Sequence, residues 1–249
     1  MNFKLVHNDK NSFFSIREKK KLTPVSLVES LRGGEDEIEL KSGSTIQHTP
    51  TKKKEREVLY ITGQSGSGKS YYTYEYVTAY QKMYPKNEVY LVSAVSDVST
   101  IGKIKKLRKI DLSKPEFLEL DVPLEELKDS MVIFDDVDSI SNKHVKKKVW
   151  GLMSDILTKG RHYNVSAVIT FHVATSGAET KLILNESQSI TFFPSASGGR
   201  TLKYLLDSYL GLDKKQIDKI KRLDSRWCTV VKSYPKVVLY EGGAYILRN

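Results

Sequence analysis

Val58-Leu59-Tyr60-Ile61-Thr62-Gly63-Gln64-Ser65-Gly66-Ser67-Gly68-Lys69-Ser70 is an apolar run of strand length passing directly into G-x-x-x-x-G-K-[ST]. The residues that follow continue as a helical stretch, so the motif lies where its mechanism needs it, between a strand and a helix N-terminus. Glycines at 63, 66 and 68 let successive backbone N–H groups curl round a phosphate with no Cβ in the way. The helix that follows turns its positive end on the same anion. Lys69 is predicted to reach the β- and γ-phosphates of ATP, and the Ser70 hydroxyl to serve a Mg²⁺ that bridges them. The nucleotide-binding set is therefore Gly63, Gln64, Ser65, Gly66, Ser67, Gly68, Lys69 and Ser70, with the adjoining Tyr71.

Outward from this loop, apolar runs alternate with helical patterns, the signature of βαβ units and a mostly parallel sheet. EVYLVSA (88–94), MVIFDD (131–136), SAVITFH (166–172) and SITFFPS (189–195) join VLYITG (58–63) as expected strands. Each is apolar enough for burial on both faces. TLKYLLDSYLGL and KKQIDKIKRL read as two further helices. WCTVVKS, KVVLY and AYILRN read as a C-terminal hairpin-like set turning at Glu241-Gly242-Gly243. The expected fold is α/β: a three-layer P-loop NTPase of the additional-strand, RecA-like type, spanning residues 58–249.

Ser130-Met131-Val132-Ile133-Phe134-Asp135-Asp136 ends an apolar strand in two carboxylates, which places them at the carboxyl edge of the sheet beside the phosphate loop. Asp135 is the candidate Mg²⁺ ligand, together with Ser70. Asp136 is the candidate catalytic group that orients or deprotonates the attacking water. In many P-loop ATPases an additional strand between the loop strand and the acidic strand carries a γ-phosphate sensor. SAVITFH is the candidate for that strand and His172 for the sensor, although a histidine at a strand end also suits a hydrogen bond to a neighbouring loop. Asp138 and His144 read as helix-start and surface residues.

Residues 1–57 differ from the rest. KKK at 19–21, GGEDEIELKSGST at 33–45 and TKKKERE at 51–57 are charged and turn-rich, the composition of a basic arm and linker. Inside it, Thr23, Pro24, Val25, Val28, Leu31 and Gly33 have the cap, first-turn proline, stripe and terminal glycine of a short helix. The chain of 249 residues carries a formal charge of +10, which favours a polyanionic partner. No window is apolar over the roughly 18 residues a membrane span requires, so no span is expected. The lone Cys228 cannot form an internal disulfide, which points to a reducing, intracellular setting.

The order of phosphate loop, VIFDD and then GRHYNVSAVITFH resembles the genome-packaging ATPases of poxviruses and other nucleocytoplasmic large DNA viruses and of their virophage relatives. These are members of the FtsK–HerA superfamily. The resemblance spans roughly residues 58–233 and is most specific at Gly160-Arg161-His162 leading into a strand. Asn185-Glu186-Ser187-Gln188-Ser189-Ile190-Thr191, before a helix beginning at Arg200, looks like the segment that follows the sensor in the same translocases. Two positions depart from the usual pattern: His172 stands where glutamine is common, and Asp136 where many members have glutamate.

The resemblance implies that Arg161 is an arginine finger, with Arg200 in reserve. It also implies a homo-oligomeric ring, pentameric or hexameric, that pumps double-stranded DNA into a capsid and docks on a capsid or portal component. The setting would be the virus factory of the host cytoplasm, or the virion. Basic stretches at Gly102–Lys109, Lys143–Lys148 and Lys214–Arg222 suit a sequence-independent grip on phosphates, and equally suit solvated helix faces. Two other readings of the chain remain: a P-loop kinase, which needs an acceptor pocket and lid arginines, and an ATP-binding assembly protein with slow hydrolysis.

Overall fold

The computed structural model describes residues 2–7, 11–30, 36–51, 56–93, 99–112, 122–196 and 199–248. The N-terminal arm is itself folded. β1 (Asn2–His7), β2 (Ser12–Glu18), β3 (Lys21–Ser30) and β5 (Ser44–His48) form an antiparallel sheet in the order β1-β3-β2-β5, and the short β4 (Glu37–Glu39) joins the main sheet instead. The helix expected from Thr23 is thus a strand, with its proposed terminal Gly33 outside the described residues. The reason lies in the partners. Val25 and Val28 are β-branched; Val25 pairs with β1 on one side and β2 on the other and is fully buried, and Val28 pairs with Lys4 of β1. Pro24 pairs with Ser15 of β2 but lies one residue past the end of the β1 register, so its missing N–H breaks no ladder on that side.

The rest follows the alternation: β6 (Val58–Thr62), α1 (Lys69–Met83), β7 (Glu88–Ser93), β8 (Leu107–Ile110), β9 (Ser130–Asp135), α2 (Lys143–Lys159), β10 (Ser166–Phe171), α3 (Ala178–Glu186), β11 (Ser189–Phe192), α4 (Gly199–Tyr204), α5 (Lys214–Lys221), β12 (Cys228–Val231), β13 (Lys236–Tyr240) and β14 (Gly243–Leu247). A π-helical turn at Leu205–Tyr209 extends α4. The main sheet runs β4-β14-β13-β12-β11-β6-β10-β9-β7-β8. From β11 to β8 all neighbours are parallel, and from β12 to β4 they are antiparallel. β10 lies between β6 and β9, as the additional strand should. The five expected core strands are all present, Ala94 at the end of the second lying outside the described residues.

Alternation along each central strand feeds two cores, one on each face of the sheet. Val58 and Tyr60 join Val132, Phe134, Ala167, Ile169 and Phe171 against Val149, Met153 and Ile156 of α2. Leu59 and Ile61 join Leu91, Met131, Ile133 and Val168 against Tyr72, Tyr76, Val77 and Tyr80 of α1. A third cluster unites Leu5, Phe14, Ile16, Val25 and Ile46 of the N-terminal sheet with Val237, Leu239, Ala244 and Ile246 of β13 and β14. The arm is therefore packed on the end of the main sheet through apolar contact.

Candidate nucleotide site

Because β6, β10 and β9 run parallel, their carboxyl ends share one edge of the sheet. Thr62 ends β6 and leads into the phosphate loop, while Asp135 ends β9 two strands away. Gly66 and Gly68 have φ of +76° and +111°, in the region that disfavours a side chain. At Gly63 an added Cβ would lie 2.6 Å from Ser67 Oγ and 2.8 Å from Phe193 Cδ2, so the loop's tight start also requires glycine. Lys69 opens α1. Its Nζ donates to the Gly63 carbonyl at 2.8 Å and stands 3.6 Å from Asp136 Oδ1, with the residue only 6% exposed. Ser70 is half-buried behind it, and Tyr71 is exposed.

The two carboxylates have different surroundings. Asp135 is 4% exposed and accepts from Thr170 Oγ1 at 3.0 Å and Ser93 Oγ at 3.4 Å. Burial first, and then the charge of Asp136, hold its carboxyl above the usual carboxylate range, against the pull of Thr170, Lys69 and Ser93. Asp136 adopts a left-handed conformation, φ 48° and ψ 38°, which turns the chain out of the strand. Its N–H donates to Thr170 Oγ1 at 2.9 Å, and its Oδ1 lies 3.2 Å from the same hydroxyl. Thr170, on the additional strand, thus ties both carboxylates to the sheet.

His172 follows that strand. Its Nε2 lies 3.5 Å from Asp136 Oδ2, its Nδ1 lies 3.4 Å from Asp138, and its backbone N–H donates to Asp138 Oδ2 at 3.1 Å. Asp138, read from sequence as a helix-start residue, does lie in the first turn of the 3₁₀ helix Val137–Ser139, and from there it also reaches His172. Asp136, Asp138 and His172 bring three potential ligand atoms within 4.8 Å of one another. Lys69, Ser70, Asp135, Asp136 and His172 are therefore gathered at one edge.

Arg161 is not gathered there. It is exposed in the 3₁₀ turn Gly160–Tyr163, which precedes the amino end of β10. β10 pairs in parallel with β6 from Ala167↔Val58 to Phe171↔Thr62, so Arg161 and the phosphate loop lie beyond opposite ends of the same strands. At about 3.3 Å per residue the six residues of β10 separate them by roughly 20 Å. Gly160 caps α2, as expected. Arg200 is exposed on α4, after the carboxyl end of β11 and so on the loop's own edge. Of the basic stretches, Lys105 and Lys106 precede β8 at the Arg161 edge, and Lys143–Lys148 opens α2 on the loop edge. Lys219 is engaged with Glu37 and lies 3.8 Å over the Tyr245 ring.

Sequence reading missed Thr170, Ser93 and the role of Asp138. Their signals are slight: one hydroxyl inside SAVITFH, one ending EVYLVS, and a carboxylate two residues beyond Asp136. The residues present fit a metal-bound nucleoside triphosphate. Ser67 Oγ is buried with no hydrogen-bond partner among the described residues, the glycines leave a cradle that side chains would fill, and a cation would relieve the raised Asp135.

A phosphate loop after β6, an acidic pair at the end of β9 and an additional strand between them define a P-loop NTPase of the additional-strand class. No family model matches the chain. It belongs to the family of the uncharacterized protein V3 of the Sputnik virophage, with 40% identity over 195 residues, covering 77% of this chain and 78% of that protein. Among solved structures, the cytoplasmic domain of the type VII secretion ATPase EccC of Thermomonospora curvata shares the fold. Its TM-score is 0.55 at 10% identity, over 95% of this chain and 29% of that one. B204, the DNA-packaging ATPase of Sulfolobus turreted icosahedral virus, compares with a TM-score of 0.48 at 15% identity, over 77% of this chain and 97% of that one. No helix among the described residues is long and apolar enough to cross a membrane.

Proposed function

We propose that this protein is an ATP-hydrolysing motor that moves double-stranded DNA into a viral capsid. The observation that carries the ATPase part is the meeting of Lys69 and Asp136 at 3.6 Å over a buried Asp135, on the edge where the phosphate loop opens α1. Phosphoryl transfer needs little covalent help and much positioning, and these residues are positioned. Lys69 neutralises terminal phosphate charge. Ser70 and Asp135 are the residues that would hold Mg²⁺, whose chemistry is to offset charge on the departing phosphoryl group. Asp136 orients the attacking water and takes its proton, and His172, held by Asp138, faces it as the γ-phosphate sensor.

The motor part rests on the sequence resemblance to packaging ATPases, on kinship with a virophage protein and on the place of Arg161. Roughly 20 Å from its own phosphate loop, Arg161 can serve a nucleotide only across a subunit boundary, and this supports a closed ring in which each subunit completes its neighbour's site. Exposed lysines grip duplex phosphates without reading sequence. A capsid or portal component receives the ring, in the host cytoplasm or the virion. The test is ATP turnover with and without long duplex DNA. We expect Mg²⁺-dependent hydrolysis that DNA accelerates and Lys69→Ala abolishes. Turnover that is indifferent to DNA and equal in Lys69→Ala would contradict the proposal, and phosphate transfer to a small acceptor would favour a kinase.

A further inference from the structure

A cavity of ≈ 230 Å³ opens beside the phosphate loop, between the N-terminal sheet and α1. That is room enough for a fused bicyclic base. Ser67, Gly68 and Tyr71 form its floor at the start of α1, and Phe193 and Trp227 form the side under β11 and β12. The wall on the N-terminal side is built from Gln47 and His48 of β5 and Arg17 of β2, with Arg17 ion-paired to Glu75 of α1 and donating to Gln47 Oε1 at 2.5 Å.

Its place in the sheet order gives it meaning. The acidic pair lies on the β10 and β9 side of β6, whereas Phe193 and Trp227 belong to the β11 and β12 side. A nucleotide with its terminal phosphate toward Asp136 and its β-phosphate in the loop extends its other end toward β11, into this cavity. The walls suit what would arrive. Tyr71 presents a largely exposed ring and Trp227 a half-buried one, set edge-on to Tyr72 at 5.1 Å. His48 Nδ1 and Ser67 Oγ are buried with no hydrogen-bond partner among the described residues. Burial holds His48 neutral, so the wall it forms brings no competing charge.

We propose that this cavity is the nucleobase site, that it takes a purine stacked on Tyr71 and Trp227, and that the N-terminal sheet supplies the polar groups facing the base edge. The inference rests on the phosphate-loop reading and adds selectivity and a role for β2 and β5. The N-terminal sheet adds Arg17, Gln47 and His48 to the polar groups Glu75, Arg226 and Glu241 that the rest of the chain brings to the cavity.

The test uses the full chain and equilibrium binding of Mg²⁺ complexes of ATP, CTP and inorganic tripolyphosphate. The wild type should bind ATP roughly tenfold or more tighter than tripolyphosphate, the scale of base–aromatic stacking, and more tightly than CTP, whose single ring covers less of the aromatic walls. Tyr71→Ala, at an exposed position, should bring ATP down to the tripolyphosphate level without moving tripolyphosphate itself. In Trp150→Phe, which leaves Trp227 as the only indole, ATP but not tripolyphosphate should change the fluorescence. Equal affinity for ATP and tripolyphosphate in the wild type would overturn the base site, as would an equal loss of both in Tyr71→Ala. Failure of tripolyphosphate to bind, with Lys69→Ala no different, would instead overturn the phosphate-loop reading beneath it.

Discussion

Thr170→Val removes one hydroxyl and keeps nearly all the volume, at a position with no solvent exposure. The hydroxyl proton serves one carboxylate at a time, Asp135 Oδ1 at 3.0 Å or Asp136 Oδ1 at 3.2 Å, while its oxygen accepts the Asp136 N–H at 2.9 Å. A bond to an ionised group contributes about 1.5–3 kcal/mol and a neutral one about 0.5–1.5, so the substitution should cost about 2–4 kcal/mol. For a chain of this size that is a fall in Tm of about 4–16 °C. Thr170→Ser keeps both bonds and loses a methyl, so it should cost about 1 kcal/mol. The Thr170 bond favours the ionised Asp135, so the gap between wild type and valine variant is full where that carboxyl is ionised. It narrows as pH falls through the raised folded-state pKa. Urea unfolding of the three proteins at neutral and acid pH reads all of this. A valine variant within about 0.5 kcal/mol of wild type, or a serine variant as damaged as valine, would show that the Thr170 hydroxyl does not tie the two carboxylates to the sheet.

Three further outcomes are expected. His48 is buried with its pKa pushed down to about 3 by burial, so the unfolded chain binds a proton between about pH 6.5 and 3 that the folded chain refuses. Its contribution to stability therefore falls as pH falls, by about 1.4 kcal/mol per pH unit, and His48→Phe should flatten that limb in unfolding measured from pH 7 to 4. Gly68→Ala forces a side chain into φ +111° with its Cβ 3.3 Å from Phe193 Cε1. It should lose about 1–3 kcal/mol of stability by thermal melt together with nucleotide binding by titration, and unchanged binding would contradict the cradle. DNA binding should ignore sequence and fall about 10³- to 10⁵-fold between 50 and 200 mM salt, as release of counterions from several phosphates requires; fluorescence anisotropy with unrelated duplexes tests it.

The parts of the fold that sequence made legible are those where one local signal sufficed. The glycines and Lys69 of the loop, the double-faced apolar runs of β6, β9, β10 and β11, and the placement of Asp135 and Asp136 at a strand end all follow from residue type and period. β3 was not legible, because Thr23-Pro24 and Val25-Val28-Leu31 satisfy a helix template as well as a strand. Only the flanking β1 and β2 settle it. β8 was hidden because Leu107-Arg108-Lys109-Ile110 is an edge strand with exposed cations in its middle, and it reads as a basic stretch. Thr170 and Asp138 acquire their roles only from neighbours more than thirty residues away in the chain, Thr170 through Asp135 and Asp138 through His172. The cavity beside Tyr71 needs the N-terminal sheet, whose strands carry no motif.

The ring is the active unit if Arg161 acts across a subunit boundary. Arg161→Ala subunits keep a sound phosphate loop and Lys69→Ala subunits keep a sound arginine, so each alone should be inactive. In mixed rings a boundary that pairs the intact loop of one with the intact arginine of the other should hydrolyse ATP, at a rate that rises and falls with the mixing ratio and peaks near equal proportions. Such fingers contribute roughly 10³- to 10⁵-fold in rate, so recovery at even a fraction of boundaries stands well above either parent. ATP turnover across the mixing series is the deciding measurement: recovered hydrolysis is the predicted result, and a flat, inactive series from folded subunits that demonstrably co-assemble would contradict the ring as the active unit and pass the same test to Arg200.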